Sequence, residues 1–190
     1  APFRASTLAA SDFRSPAFWQ VESETDGEGN TNTYIGRKDG KQYASFCIED
    51  PGMYLWNVPF EISFDVRFNS YSINGGKNVD TSILQLFSKA DYSKTVKLLG
   101  TKKSGSKLYL QKLANDDSSL SNFNNGTAIA EFTFGKWHNI RAQVYADSGR
   151  VIVWFDGAKV ADFISDEFIY KGVHYGSLTP TGSVLGIGSG

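Results

Sequence analysis

Four polar residues of the sequence have the chemistry of a polysaccharide site. Arg141, Gln143 and Tyr145 alternate along one predicted strand, so they project from the same face of a sheet. Arg67 lies near the end of another alternating segment and is expected on the same face. An arginine can neutralise the carboxylate of a uronic acid, and a tyrosine can act as the base in β-elimination. The same groups can also bind sugar hydroxyls without reaction, so both a lyase and a binding site remain open.

A tryptophan adds an apolar surface to this set. In the segment from Val151 to Phe155, Trp154 lies between Val153 and Phe155. If those two face the core, the indole lies on the polar face, and we expect it near Tyr145. An exposed indole offers a platform for the C–H face of a sugar, with hydrogen-bond donors beside it. The alternative is that Trp154 is itself a core residue.

Two acidic residues on another alternating segment raise the question of hydrolysis. Glu61 and Asp65 share its polar side, with Ser63 between them. Retaining glycosidases need two carboxyl groups about 5–5.5 Å apart, one as nucleophile and one as acid/base. A solvated strand face explains the same residues equally well. We therefore assign Asp65 to the candidate carbohydrate-binding residues and not to a hydrolytic pair of carboxyl groups.

A loop between residues 114 and 126 is rich in oxygen ligands. Its Asp and Asn side chains are of the type that calcium prefers, and Asp116 and Asp117 are the candidate ligands. Their spacing follows no fixed calcium motif, and Asn and Asp also favour turns for local reasons. Bound calcium is therefore an expectation that depends on composition.

Composition excludes several classes of protein. The chain has 190 residues, of which 41% are hydrophobic, and its net charge is −1. No apolar run approaches the roughly 20 residues that cross a bilayer. The basic residues between Lys94 and Lys107 lie in a Gly/Ser-rich stretch that we interpret as a solvated loop, which fits a polyanionic sugar only weakly. Nucleic-acid binding and membrane insertion are therefore not expected.

The sequence gives a modest indication of the compartment. Cys47 is the single cysteine, so a disulfide framework is excluded and a small buried side chain is expected. The opening Ala1-Pro2-Phe3 is consistent with a removed signal peptide or with a shortened chain. Asn125-Gly126-Thr127 is a glycosylation sequon. We expect a secreted or cell-surface protein.

Alternation with a period of two dominates the chain. The longest example runs from Phe60 to Phe68, and a second runs from residue 139 to 145. It is followed by a turn, the segment 151–155, the turn Asp156-Gly157 and the segment 159–163, which together predict a meander. Shorter strands are predicted at 43–48, 83–87, 107–112, 128–134 and 183–187. No window has a capped 3.6-residue period, so an all-β sandwich or barrel is predicted.

One part of this layout resembles a known superfamily. The segments Phe134–Val144 and Gly149–Val160 combine a Gly-x-Trp entry, an alternating strand, a turn and an aromatic residue followed by Asp-Gly. This resembles the concanavalin A-like lectin/glucanase superfamily, in its laminin-G-like, sialidase-associated lectin and polysaccharide-lyase branches. The resemblance implies a two-sheet antiparallel jelly roll, and many lectins of that fold bind calcium. The acidic strand of the glucanase branch is matched at one of three positions, and the lyase signatures are absent.

We therefore predict one concanavalin A-like domain over residues 1–190, which is compatible with a place in a larger multidomain protein. Its core combines the apolar side of residues 60–68 with Ile140, Ala142, Val144, Val151, Val153 and Phe155. The leading hypothesis is a lectin-like module that binds glycan or polysaccharide on a sheet face or rim loop. A polysaccharide lyase or glycosidase in the same groove and a protein–protein adhesion domain are the alternatives.

Overall fold

The computed structural model describes residues 19–37, 46–50, 59–70, 82–88, 95–113, 126–145, 148–165, 169–170, 173–174 and 183–189. Regular structure within these ranges is entirely β-strand, and every strand pair is antiparallel. The described part of the chain has no helix long and apolar enough to span a bilayer. The strands are β1 (Trp19–Thr25), β2 (Thr31–Arg37), β3 (Phe46–Asp50), β4 (Phe60–Val66), β5 (Ser82–Ser88), β6 (Thr95–Ser104), β7 (Lys107–Lys112), β8 (Thr127–Phe132), β9 (His138–Tyr145), β10 (Arg150–Phe155), β11 (Ala158–Ile164), β12 (Ile169–Tyr170), β13 (Val173–His174) and β14 (Ser183–Ser189).

Two large sheets face each other across the core. One has four strands in the order β11-β10-β9-β4, and the other has six in the order β3-β14-β5-β6-β7-β8. Buried Leu and Ile side chains of β5, β6 and β7 form one cluster with the inward residues of β9 and β10. Phe132 of β8 also packs edge-on against Phe155 of β10, with 5.4 Å between ring centroids. The predicted two-sheet antiparallel sandwich is confirmed.

The four-stranded sheet has one apolar and one polar face. In β9, Ile140, Ala142 and Val144 are fully buried, while the residues between them are half-buried. The apolar side chains of β4 pack on the same core, and Glu61 and Asp65 point to the other side. The predicted core is therefore confirmed, and the polar residues of these strands share what we call the outer face.

A tight turn joins β10 to β11. Asp156 and Gly157 have φ angles of 49° and 81°, the left-handed values that a two-residue primed turn requires. The register of β10 against β11 shifts between Val153 and Trp154, because Val160 is an extra residue in β11. The shift places both Lys159 and Asp162 on the outer face.

One strand lies where the sequence predicted a loop. The basic stretch from 94 to 107, predicted as a solvated loop, forms much of β6, where Leu98 and Leu99 are fully buried. Its lysines obscure the apolar pattern, because their stems can lie along a sheet while the ammonium groups reach water. At the other end of the described chain, β1 and β2 form a hairpin around residues 26–30.

Candidate functional site

The outer face consists of rows of side chains that cross the sheet. One row runs from Ser63 through Arg141 and Trp154 to Lys159, as the strand registers show. The next row contains Glu61, Gln143, Ile152 and Asp162. Val153 and Phe155 face the core, so the predicted outward position of Trp154 is the one observed. A half-buried indole therefore lies within a polar, solvent-facing surface.

Arg141 packs on this indole. The guanidinium carbon of Arg141 lies 3.7 Å from the Trp154 ring centroid, which is a close cation–π contact. The Arg141 side chain is 36% exposed, and its Nη1 lies 3.3 Å from Oε2 of Glu61. One face of the indole is therefore covered by a cation that also has an acidic neighbour.

Side-chain amides link β9 to β4 across this face. Gln143 donates from Nε2 to Oε2 of Glu61 at 2.7 Å. Asn139 donates from Nδ2 to Oδ1 of Asp65 at 2.8 Å and to the Ser63 hydroxyl at 3.2 Å. Amides and carboxylates held in this way are of the type that can exchange hydrogen bonds with sugar hydroxyls.

On the β10–β11 side of the outer face, three charged side chains form an ion cluster. Asp162 accepts hydrogen bonds from Nε and Nη2 of Arg150, both at 2.9 Å, and from Nζ of Lys159 at 2.8 Å. These hydrogen bonds hold the pKa of the Asp162 carboxyl far below its ordinary value, and those from Arg150 have the largest effect. Both cations are thus neutralised within the sheet.

Tyr145 shares the outer face but lies apart from Trp154. Tyr145 pairs with Arg150, whereas Trp154 pairs with Arg141. Tyr145 and Arg141 are four residues apart on β9, about 13 Å along the strand. The expectation that Tyr145 lies near Trp154 was wrong, because the antiparallel register sends the two aromatic residues to different rows.

Arg67 is engaged by the β1–β2 hairpin. Its Nη1 lies 2.8 Å from Oε2 and 3.0 Å from Oε1 of Glu24, and its side chain is only 16% exposed. The guanidinium carbon also lies 4.7 Å from the Trp137 ring centroid and 5.2 Å from that of Tyr34. The structure therefore does not join Arg67 to the outer-face cluster around Trp154.

Glu24 is the centre of this second cluster. Its Oε1 accepts a hydrogen bond from the indole Nε1 of Trp137 at 2.9 Å, in addition to those from Arg67. The hydrogen bonds from Trp137 and Arg67 lower the pKa of the Glu24 carboxyl. No sequence pattern indicated this contact, since Glu24 and Trp137 are 113 residues apart.

This assignment of Arg67 can be tested by substitution. Arg67→Ala should lower the free energy of unfolding by about 1–3 kcal/mol, because hydrogen bonds to a charged group and stacking against two rings are lost together. Urea unfolding is the measurement, and Arg67→Lys should recover part of the loss. Any glycan affinity should stay within about twofold of wild type, and a larger loss would return Arg67 to the binding set.

His138 is a core residue. It is 3% exposed and stacks on Phe155, with ring centroids 4.8 Å apart. Its Nε2 accepts the Thr133 backbone N–H at 3.0 Å, so Nδ1 carries the ring hydrogen and donates to Oδ2 of Asp156 at 2.8 Å. His138 therefore belongs to the core and cannot serve as a base on the outer face.

The calcium expectation concerns a different part of the chain. Asp116, Asp117 and the sequon residue Asn125 lie outside the described residues. Among the residues that the structure does describe, no group of three or more His, Cys, Asp or Glu side chains is arranged to hold a metal ion. Calcium binding stays a prediction.

Comparison with known proteins adds structural neighbours at low identity. No protein-family model and no curated protein matches the chain. A solved sialidase aligns with a TM-score of 0.48 at 13% identity, covering 90% of this chain but only 13% of the sialidase chain. The alginate lyase AlyC3 aligns at 0.48 and 12%, covering 88% of this chain and 81% of its own. The globular domain of T. cruzi calreticulin aligns at 0.48 and 13%, with coverage of 90% and 74%.

Proposed function

We propose that this chain is a carbohydrate-binding module that holds a glycan on the outer face of its four-stranded sheet. The observation that carries the proposal is the position of Trp154, outside the core and in one row with Ser63 and Arg141. An indole supplies apolar contact area, and neighbouring amides and carboxylates supply hydrogen bonds, which is the combination a sugar ring requires. The proposed setting is secreted or at the cell surface, where polysaccharide is abundant.

Binding fits this geometry better than elimination does. A lyase needs a base close to the group that neutralises the uronate. His138 is turned into the core, and Tyr145 lies two rows from Arg141, opposite Arg150, whose guanidinium is already paired with Asp162. Arg141 also has Glu61 as a neighbour, which opposes a second carboxylate.

A glycan array tests the proposed function. The purified chain is screened with calcium and with a chelator, alongside an ultraviolet assay for unsaturated uronate released from pooled polysaccharides. Saturable binding without released product is the expected result, and a signal lost on chelation would show that binding depends on a metal ion, as the calcium prediction for Asp116 and Asp117 requires. An increase in ultraviolet absorbance, which reports released unsaturated uronate, would establish a lyase instead. If neither assay gave a signal, the protein–protein adhesion alternative would be favoured.

A further inference from the structure

The contact between Arg141 and Trp154 affects how a ligand could use the indole. The guanidinium carbon lies 3.7 Å from the ring centroid, the distance of direct stacking. A sugar that stacks on that ring face needs the same space. The covered face is therefore open to a sugar only when Arg141 moves.

The guanidinium of Arg141 can move toward Glu61. Its Nη1 is already 3.3 Å from Oε2 of Glu61, and a third of its side chain is exposed. A shift toward Glu61 would strengthen this long hydrogen bond while the guanidinium leaves the ring. Such a movement keeps the cation paired, so only the cation–π contact is lost.

Charge on the outer face bears on the class of ligand. Within β4, β9, β10 and β11, the carboxylates of this face are balanced by its cations: Glu61, Asp65 and Asp162 against Arg141, Arg150 and Lys159. Arg150 and Lys159 both pair with Asp162, and Arg141 lies beside Glu61. A polyanionic glycan would gain little from cations that are already neutralised, and it would meet the carboxylates of β4.

We infer that the outer face binds neutral glycan segments, and that Arg141 is a cover over Trp154 which a sugar ring displaces toward Glu61. This inference rests on the proposed function. Arg141 then acts on affinity in the direction opposite to a ligand-binding arginine: removing it uncovers the indole. It also acts on specificity, because an uncovered indole accepts a sugar that cannot displace the guanidinium.

The test uses the same array with two matched pairs of oligosaccharides added. Mannohexaose is compared with the β-1,4-mannuronate hexamer, and cellohexaose with the β-1,4-glucuronate hexamer, since each pair differs only by the carboxylate at C6. Neutral glycans should be the ligands, and their affinity should change by less than about twofold between about 0.05 and 0.5 M NaCl. Uronates or sulfated glycans as the strongest ligands would overturn the inference.

Two variants complete the test, with calorimetric titration of the strongest neutral ligand. Arg141→Ala should bind about two- to fivefold more tightly, the factor that corresponds to an exposed cation–π contact. Lys107→Ala makes the same change in net charge on the six-stranded sheet, where it also removes a cation from beside a glutamate, and its affinity should stay at the wild-type value. Weaker or unchanged binding by Arg141→Ala would refute the inference that Arg141 covers Trp154. Absence of binding to any glycan of either charge would instead refute the proposed function.

Discussion

Replacing Trp154 by alanine should lower the glycan affinity at least about thirtyfold, which corresponds to about 2 kcal/mol for the loss of an aromatic anchor. The indole is the large apolar group in its row of the outer face, and the polar neighbours alone offer no comparable contact area. Titration of the strongest array ligand is the measurement. Retained affinity would show that glycan binds elsewhere on the molecule.

The fold should survive this substitution. The Trp154 side chain lies outside the core cluster, so we expect its loss to cost about 1–2 kcal/mol of unfolding free energy, less than a buried aromatic residue. Phe155→Ala, in the core beside it, should cost about 3–5 kcal/mol. Tyr109→Ala is the matched control, because Tyr109 is a half-buried aromatic between two core leucines on the opposite sheet. Tyr109→Ala should leave glycan affinity unchanged.

Replacing Asp156 by alanine should lower the free energy of unfolding by about 2–4 kcal/mol. Two effects add: the buried Nδ1–H of His138 loses its acceptor, and alanine must adopt the left-handed backbone at φ 49°. The Asn139 N–H, which donates to Oδ1 at 2.9 Å, also loses its partner. Urea unfolding with far-ultraviolet circular dichroism is the measurement.

Two companion variants separate these effects. Asp156→Gly removes the acceptors without backbone strain, so its difference from Asp156→Ala isolates the conformational part. Asp156→Asn keeps one acceptor oxygen and tolerates positive φ, and should cost about half as much as the alanine variant. An alanine variant within about 0.5 kcal/mol of wild type would contradict the role assigned to this carboxylate.

Asp156 also makes stability depend on pH. Burial alone would raise the pKa of its carboxyl, but hydrogen bonds from His138 and the Asn139 N–H outweigh burial and hold the pKa below the ordinary 3.8. Because the folded pKa is the lower one, this contribution is complete above the unfolded value and is lost as pH falls through the folded value. Asp156→Asn should therefore lose less stability than wild type below about pH 4.

The sequence predicted the strands whose two faces differ. β4, β9, β10 and the Asp-Gly turn were found because apolar and polar residues alternate there without interruption. Trp154 could be placed on the polar face for the same reason. β6 was missed because lysine stems can cover a sheet, so charge in the sequence does not always indicate a loop.

The partners of individual side chains could not be predicted in the same way. Arg67 and Glu24 are 43 residues apart, and only the position of the hairpin brings them together. His138 follows Trp137 directly, but the two side chains point in opposite directions: His138 lies in the core, and Trp137 packs on Tyr34 of the β1–β2 hairpin. The Arg141–Trp154 stack depends on the register of β9 against β10, which no local pattern determines.

The extra residue in β11 has a consequence for self-association. Among the described strands, β11 is the outermost of its sheet, and an outermost strand can template pairing with another molecule. Val160 interrupts regular pairing there, and the charged side chains of Lys159 and Asp162 flank the interruption. A second chain would have to match an irregular, twisted edge and approach paired charges that prefer water. We therefore expect the bulge that sets the outer face also to disfavour the edge-to-edge pairing that leads to cross-β fibrils.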